Sequence, residues 1–195
     1  MDAGPLRRLV AALLLAVGAA ACLDVASAHA ATVTYRVDAA ASALTFLGTS
    51  RLVNAEGRFH RFGGEVTLDP SNLATARVAL SIEAASLDTD NDLRDQHLRS
   101  DAFFWVERHP VIAFESARVE GAGGRANVVG RLTLRGVTRE VLVPVEIEVG
   151  DRTLVARGAF ELRRVEYGMT YQSWLNPVGN VVRIAFTFRA TRVAP

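Results

Sequence analysis

The sequence predicts an all-β domain, and three observations support this prediction. After Thr32, apolar and polar residues alternate at a period of two, as they do in strands that bury one face. Turn signals containing Gly, Pro, Asn and Asp separate these runs at short intervals. The chain shows no internal repeat, low-complexity tract or boundary between domains. Together these observations indicate a single β-sandwich or up-and-down barrel.

The N-terminal segment has the features of an export signal. Arg7 and Arg8 give it a basic start, and the apolar run that follows at residues 9–21 is too short to span a membrane comfortably. Ala28 and Ala30 then place small residues at both positions that determine cleavage. We therefore expect an exported protein.

Cleavage at this site would divide the chain into a signal peptide, 1–30, and one domain, 31–195. The expected location of that domain is the periplasm, or the outside of the cell if it is secreted. Two alternatives stay open, namely an uncleaved anchor and a lipoprotein acylated at Cys22. Because Cys22 is the only cysteine, cleavage after residue 30 would leave a domain without disulfide bonds.

The predicted strands follow one another along this domain. Pro144 interrupts the clearest of them, and because proline has no backbone N–H we expect it at a bulge or at an unpaired position. The apolar faces are, in chain order, Leu44 and Phe46; Phe59, Phe62, Val66 and Leu68; Val78, Leu80 and Ile82; 111–116; Val128, Leu132 and Leu134; Val141, Val143, Val145, Ile147 and Val149; Leu154, Ala156, Phe160 and Leu162; Val182, Ile184, Phe186 and Phe188.

A single helix is predicted between these strands, at residues 90–99. Thr89 is the expected N-cap, with Asp92 as a short capping-box partner three residues later. Leu93 and His97 lie four residues apart and therefore share one face of this helix.

Composition and spacing argue against several functions. All 22 basic residues are arginines, scattered along a chain of net charge +1, which disfavours nucleic acid as a partner. The chain contains no lysine for a Schiff base and no GxSxG motif. His60, His97 and His109 lack the spacing of metal ligands. We therefore predict no enzymatic activity, no catalytic residue, no metal and no cofactor, although a carboxylate pair of the glycosidase type stays open.

Residues 35–192 contain a series of short motifs in a definite order and spacing. The motifs are Asp38, Ser42, Leu44 and Phe46; Asp88-Thr89; Arg94-Asp95; His97-Leu98; Phe103-Phe104; Pro110 and Ile112; Phe114-Glu115-Ser116; the run Gly130 to Thr138; and Arg164, Tyr167 and Gly168. Their order and spacing resemble the YceI-like family of secreted lipid-binding proteins. The resemblance implies an antiparallel eight-stranded lipocalin-like barrel, with the short helix at about 90–99 near its rim.

The same resemblance implies that the apolar faces enclose a cavity for a long isoprenoid-type lipid. Tyr167, Tyr171 and Trp174 are expected at its mouth, because an aromatic side chain with a polar tip suits such a position, while plain core packing is the alternative for each. The predicted lining residues are Phe46, Val78, Leu80, Ile82, Phe103, Phe114, Leu132, Val143, Val145, Phe160, Tyr167, Trp174, Ile184 and Phe186.

Arg94 has two interpretations in this framework. It either contacts the headgroup of the ligand, or it acts with Asp95 to fix the helix to the rim of the barrel. Adjacent helical residues point in different directions, so the two side chains cannot easily reach one ligand atom, and we favour the structural interpretation.

The functional prediction is a binding or carrier protein for a long apolar lipid of the polyisoprenoid, isoprenoid quinone or fatty-acid type. Its partners would be that lipid and, transiently, a membrane. The alternative is a stress-related envelope protein that acts through a protein partner and whose barrel is filled by its own side chains. Period-two patterning does not distinguish an open barrel from a filled one, and it leaves the oligomeric state undetermined.

Overall fold

A computed structural model describes residues 32–194, so the predicted signal peptide and Cys22 lie outside the described residues. The described chain is mostly strand, with one α-helix, α1 (Asp92–Arg99), and two short 3₁₀ turns at Ala84–Ser86 and Arg164–Tyr167. The strand segments are β1 (Val33–Val37), β2 (Ala43–Ser50), β3 (Ala55–Phe59), β4 (Phe62–Asp69), β5 (Asn72–Glu83), β6 (Leu87–Asp88), β7 (Val111–Ala122), β8 (Arg125–Leu134), β9 (Val137–Val149), β10 (Thr153–Arg163) and β11 (Val178–Arg192).

The strand segments close into a barrel of eight antiparallel strands. The segments β1 and β2 pair with successive parts of β11 and together form one interrupted barrel strand. In the same way β3 and β4 form the next, and β5 and β6 the third. The remaining strands follow as a meander, and pairing of Tyr35 with Arg192 closes the ring. The predicted eight-stranded antiparallel barrel is therefore confirmed.

The pairing of β9 with β10 is incomplete. Residues 145–149 pair with residues 154–158, and the ladder stops there although both strands continue. Pro144, the next residue of β9, still lies opposite Asn127 of β8. Pro144 is therefore unpaired on the side that faces β10, as predicted. Proline has no backbone N–H and so cannot donate the hydrogen bond that would extend this ladder.

One end of the barrel is closed by large buried side chains. Tyr35, Leu68 and Leu154 are almost fully buried there, next to the turn between β9 and β10. The Tyr35 hydroxyl donates to the carbonyl oxygen of Gly150 at 2.8 Å, which satisfies the polar atom of an otherwise apolar floor. The other end carries α1 and the loops around residues 51–54 and 170–177.

The helix lies within its predicted range but begins two residues later, and the predicted cap is wrong. Asn91 is the N-cap, and its side chain accepts a hydrogen bond from the backbone N–H of Arg94 at 3.0 Å. Thr89 does not cap the helix, because its hydroxyl donates instead to the carboxylate of Asp95 at 2.6 Å. At the other end of α1, Arg99 donates to the carbonyl oxygens of Ala85 and Leu87 and so ties the helix to the barrel.

No helix in the described range is both long enough and apolar enough to cross a membrane.

Candidate ligand-binding cavity

A cavity of about 400 Å³ occupies the interior of the barrel. This volume lies within the range of roughly 300–1,000 Å³ that is common for small-molecule sites. It exists because small residues face inward on several strands, among them Gly48, Ala76, Ala126 and Ala156. The side chains of the barrel therefore do not fill its interior. The alternative function, an envelope protein acting through a protein partner, would require a filled barrel.

Most of the predicted lining residues do lie around this cavity. They come from seven different strands and from the turn that follows α1, and their side chains are almost entirely hydrocarbon. The predicted residues that line the cavity are Phe46, Val78, Leu80, Ile82, Phe103, Phe114, Leu132, Val143, Val145, Phe160, Ile184 and Phe186.

Two predicted lining residues do not contact the cavity. Tyr167 lies in the second 3₁₀ turn and is only 1% exposed, so it packs in the core, and this burial raises the pKa of its hydroxyl. Trp174 lies in the loop before β11 and is 86% exposed. Tyr167 takes the alternative of core packing, and Trp174 points to solvent instead of the cavity. Both residues lie beyond Arg163, where the strand ends, so their residue type alone does not determine which way they face.

Of the three aromatic candidates for the mouth, Tyr171 does line the cavity. Its ring packs edge-on against His97 with centroids 4.8 Å apart, and it contacts Phe103 at 5.2 Å. All three residues line the cavity, so this cluster joins α1 to the loop before β11 at the rim.

The open end of the cavity is polar, and most of its polar residues were not predicted. Polar side chains of α1, of the end of β2 and of the loop before β11 surround the opening, and exposed side chains among them show that the cavity reaches solvent there. These residues are Thr49, Ser50, Arg94, His97, Tyr171, Ser173 and Asn176. The lining contains arginine and histidine but no aspartate or glutamate.

Arg94 lines the cavity and is also held in place by Thr89. Its Nε donates to the Thr89 hydroxyl at 2.8 Å, and its Nη2 donates to the Thr89 carbonyl oxygen at 2.7 Å. Asp95 is buried and accepts from both the N–H and the hydroxyl of Thr89. The two adjacent residues thus both bind Thr89 at the rim, and Arg94 in addition lines the cavity.

Arg164 is a second cation at the cavity and is 2% exposed. Its guanidinium donates to the carbonyl oxygens of Met169, of Gly179 at 2.8 Å and of Val178 at 3.0 Å. Within residues 32–194, no carboxylate forms a salt bridge with it. Burial lowers the pKa of Arg164, because its charge has lost solvent and has gained only neutral partners.

The described residues also bear on metal binding. Between residues 32 and 194, no three His, Cys, Asp or Glu side chains cluster as they would around a metal ion.

The cavity offers apolar contact along its length and hydrogen-bond donors at its mouth. Such a site fits an elongated apolar molecule with an electron-rich or anionic end.

Comparison with known proteins agrees with this architecture. Residues 35–190 match the family model described as the YceI-like domain, which covers most of the chain. The chain therefore belongs to the YceI-like family. The resemblance inferred from the ordered motifs is confirmed.

Curated relatives carry the family designation UPF0312. A protein of Vibrio cholerae is 34% identical over 139 residues, which cover 68% of this chain and 72% of the relative. A protein of Pseudomonas aeruginosa is 40% identical over 91 residues, or 47% of this chain and 48% of the relative. The match thus spans about half the length of the Pseudomonas protein.

Solved structures share the fold. BcnA of Burkholderia cenocepacia superposes with a TM-score of 0.74 at 27% identity, covering 80% of this chain and 99% of BcnA. A polyisoprenoid binding domain from Saccharophagus degradans, implicated in plant cell wall breakdown, gives a TM-score of 0.66 at 18% identity, with 83% and 98% covered. The YceI protein of Campylobacter jejuni gives 0.67 at 21% identity, with 74% and 88% covered.

Proposed function

We propose that this protein binds and carries a long apolar lipid, of the polyisoprenoid, isoprenoid quinone or fatty-acid type, in the periplasm or as a secreted protein. The observation that carries the proposal is the apolar cavity of about 400 Å³ inside the barrel, closed at one end and open at the other. Its fold relative from Saccharophagus degradans, a polyisoprenoid binding domain, supports the same class of ligand.

The energetics favour a carrier over a permanent store. Each isoprenoid carbon taken out of water contributes ~0.8 kcal/mol, so a chain that fills the cavity gains a large gross free energy relative to water. Measured affinities saturate near ~18–21 kcal/mol, and ordering a flexible chain lowers the net value further. Such a lipid resides in a bilayer rather than in water, and the bilayer is already apolar. Exchange between bilayer and barrel is therefore much closer to balance, as a carrier requires.

The polar groups at the mouth define the expected orientation of the ligand. Arg94 lines the open end, and its Nη1 makes no hydrogen bond to another described residue. Arg164 adds a second positive charge, while no carboxylate lines the cavity. We expect the headgroup to accept hydrogen bonds from Arg94 and to carry a carboxylate, a phosphate or a quinone oxygen.

Native mass spectrometry of the protein purified from a bacterial periplasm tests the proposal directly. We expect one lipid per chain, which organic extraction removes and which identification by mass then assigns to a lipid class. The delipidated protein should bind cis-parinaric acid or a fluorescent polyprenyl probe. If the purified protein holds no lipid and the delipidated protein binds neither probe, the carrier function is wrong.

A further inference from the structure

The rim of the barrel carries an exposed apolar surface that the cavity itself does not explain. Leu52 is 70% exposed, Val53 62%, Trp174 86% and Leu175 62%. We call these four residues the rim patch. Large apolar side chains exposed together on a soluble domain mark an interaction surface more often than isolated ones do.

Two loops that are held together by hydrogen bonds form the rim patch. The backbone N–H of Leu52 donates to Oδ1 of Asn176 at 2.9 Å, and the N–H of Arg51 donates to the carbonyl oxygen of Pro177 at 3.2 Å. These contacts place the loop between β2 and β3 beside the loop that precedes β11. The four apolar side chains therefore belong to one surface. The two loops are far apart in the sequence, because Leu52 and Asn176 are 124 positions from each other.

The rim patch is continuous with the mouth of the cavity. Val53 belongs to the patch and also lines the cavity, and Ser173 and Asn176, the neighbours of Trp174 and Leu175, line it as well. The rim patch therefore borders the opening of the cavity, and Val53 belongs to both.

The chemistry of this surface fits the interface of a bilayer. Tryptophan and leucine are the side chains that amphipathic surfaces place at the boundary between headgroups and acyl chains. Arg51 is the only charged residue in the segments 50–54 and 170–178, so no acidic side chain of these loops opposes phosphate groups. We propose that the rim patch docks the mouth of the barrel onto a lipid bilayer, with Trp174 and Leu175 inserted at the interface. This inference rests on the proposed function, which places the cargo in a bilayer.

The two tryptophans of the chain allow a matched test. In Trp105→Phe, Trp174 is the only tryptophan; in Trp174→Phe, only Trp105 remains, which is half-buried and lies under the guanidinium of Arg108 at 4.7 Å. Vesicles of phosphatidylethanolamine and phosphatidylglycerol with brominated acyl chains quench tryptophans that reach the interface. We expect strong quenching and a blue shift for Trp105→Phe, and little quenching for Trp174→Phe. Equal or no quenching in both variants would overturn the proposal.

A second measurement separates docking from cargo binding. The variant Leu52→Ser/Trp174→Ser/Leu175→Ser changes patch residues that do not line the cavity. We expect its affinity for these vesicles to fall at least tenfold, while its affinity for cis-parinaric acid in solution stays within about twofold. Leu142→Ser, an exposed leucine on the barrel wall, is the control and should bind vesicles like the parent.

The outcomes distinguish the docking surface from the proposed function. If the triple variant binds vesicles as tightly as the parent, the docking proposal fails and the carrier function stands. If the parent docks on vesicles through the patch but never binds a lipid probe, the carrier function fails. If sedimentation shows that the parent is a dimer, that the triple variant is a monomer and that neither binds vesicles, the patch joins two copies of the chain and the docking proposal is overturned.

Discussion

Filling the cavity at its mouth should stabilise the protein and block ligand binding, and Gly48→Leu is the substitution that tests this. Gly48 lies on β2 and lines the cavity near its open end. A Cβ added there would meet only the carbonyl oxygen of Ala55, at 3.9 Å, which is ordinary contact. The new side chain therefore extends into free space.

The expected gain in stability can be worked out from two contributions. Replacing glycine within a strand removes a penalty of roughly 0.5–1 kcal/mol. Each newly buried carbon adds at most about 0.8 kcal/mol. One side of the new leucine faces the void and gains no partner atoms, so much of this second contribution is lost. We expect the free energy of unfolding to rise by about 1–2 kcal/mol.

Gly130→Leu is the matched control, because Gly130 is also an inward glycine of the barrel but has no free space. A Cβ there would lie 2.5 Å from Cζ of Phe114 and 2.6 Å from the carbonyl oxygen of Glu115. Overpacking of this kind costs roughly 1–3 kcal/mol or more. Gly130→Leu should therefore lower the free energy of unfolding.

The assay combines chemical denaturation of the delipidated proteins with titration of cis-parinaric acid. We expect Gly48→Leu to be more stable than the parent and to bind the probe at least tenfold more weakly, a loss of ~1.4 kcal/mol. If it is instead destabilised as much as Gly130→Leu, the interior near β2 is packed and the cavity reasoning is wrong. If it is stable and binds like the parent, the ligand does not pass this end of the barrel.

Three further predictions concern the rim. Asp95→Ala should lower the free energy of unfolding by ~1–3 kcal/mol, because the N–H and hydroxyl of Thr89 lose their shared acceptor; unchanged stability with lost lipid binding would favour a ligand role for this segment. Arg164→Met should lower the free energy of unfolding, because the carbonyl oxygens of Met169, Val178 and Gly179 lose their donor. Each unpaired carbonyl costs ~1–3 kcal/mol, and removal of a desolvated charge offsets part of this loss. A free energy of unfolding equal to that of the parent would contradict the prediction. Hydrogen bonds from His60, from the backbone N–H of Asp90 and from Arg58 hold the pKa of Asp88 at about 2, below its usual 3.8. The stabilisation that the ionised carboxylate provides is therefore present above pH ~4 and is lost as the pH falls toward 2. Asp88→Asn should therefore lose less stability on acidification over that range, and an identical acid profile for both proteins would refute the assignment.

The inward-facing residues could be predicted from the sequence because a strand imposes a strict period of two. The same pattern left a sandwich and a barrel open, and the family resemblance decided for the barrel. Phe114, Leu132 and Phe160 sit within uninterrupted alternating runs, and each faces the cavity as predicted. Because paired residues on neighbouring strands face the same side of the sheet, the inward positions of one strand align with those of the next around the barrel. The local pattern and the global fold therefore agree.

The mouth could not be predicted because tertiary contacts decide where its loops lie. Asn176 lines the cavity, and its side chain accepts a hydrogen bond from the N–H of Leu52; no local rule links positions so far apart. The helix cap failed for a related reason. Thr89 and Asn91 are both good N-cap residues, and the choice depends on Asp95, which engages the Thr89 hydroxyl.

The presence of a cavity could not be predicted from the alternation of apolar and polar residues. Alternation specifies which residues face inward, but not whether their volumes fill the interior of the barrel. The structure places the small inward residues and the void together, with the floor at Tyr35 and the polar groups at the opposite end. A lipid that enters tail first would therefore end with its tail against the hydrocarbon of the interior and its headgroup at the mouth, beside Arg94 and Arg164. Entering headgroup first would bury a polar group against the floor, where the Tyr35 hydroxyl already donates to Gly150. Desolvating a headgroup without a partner costs several kcal/mol, so tail-first entry from a bilayer under the open end is the favoured direction.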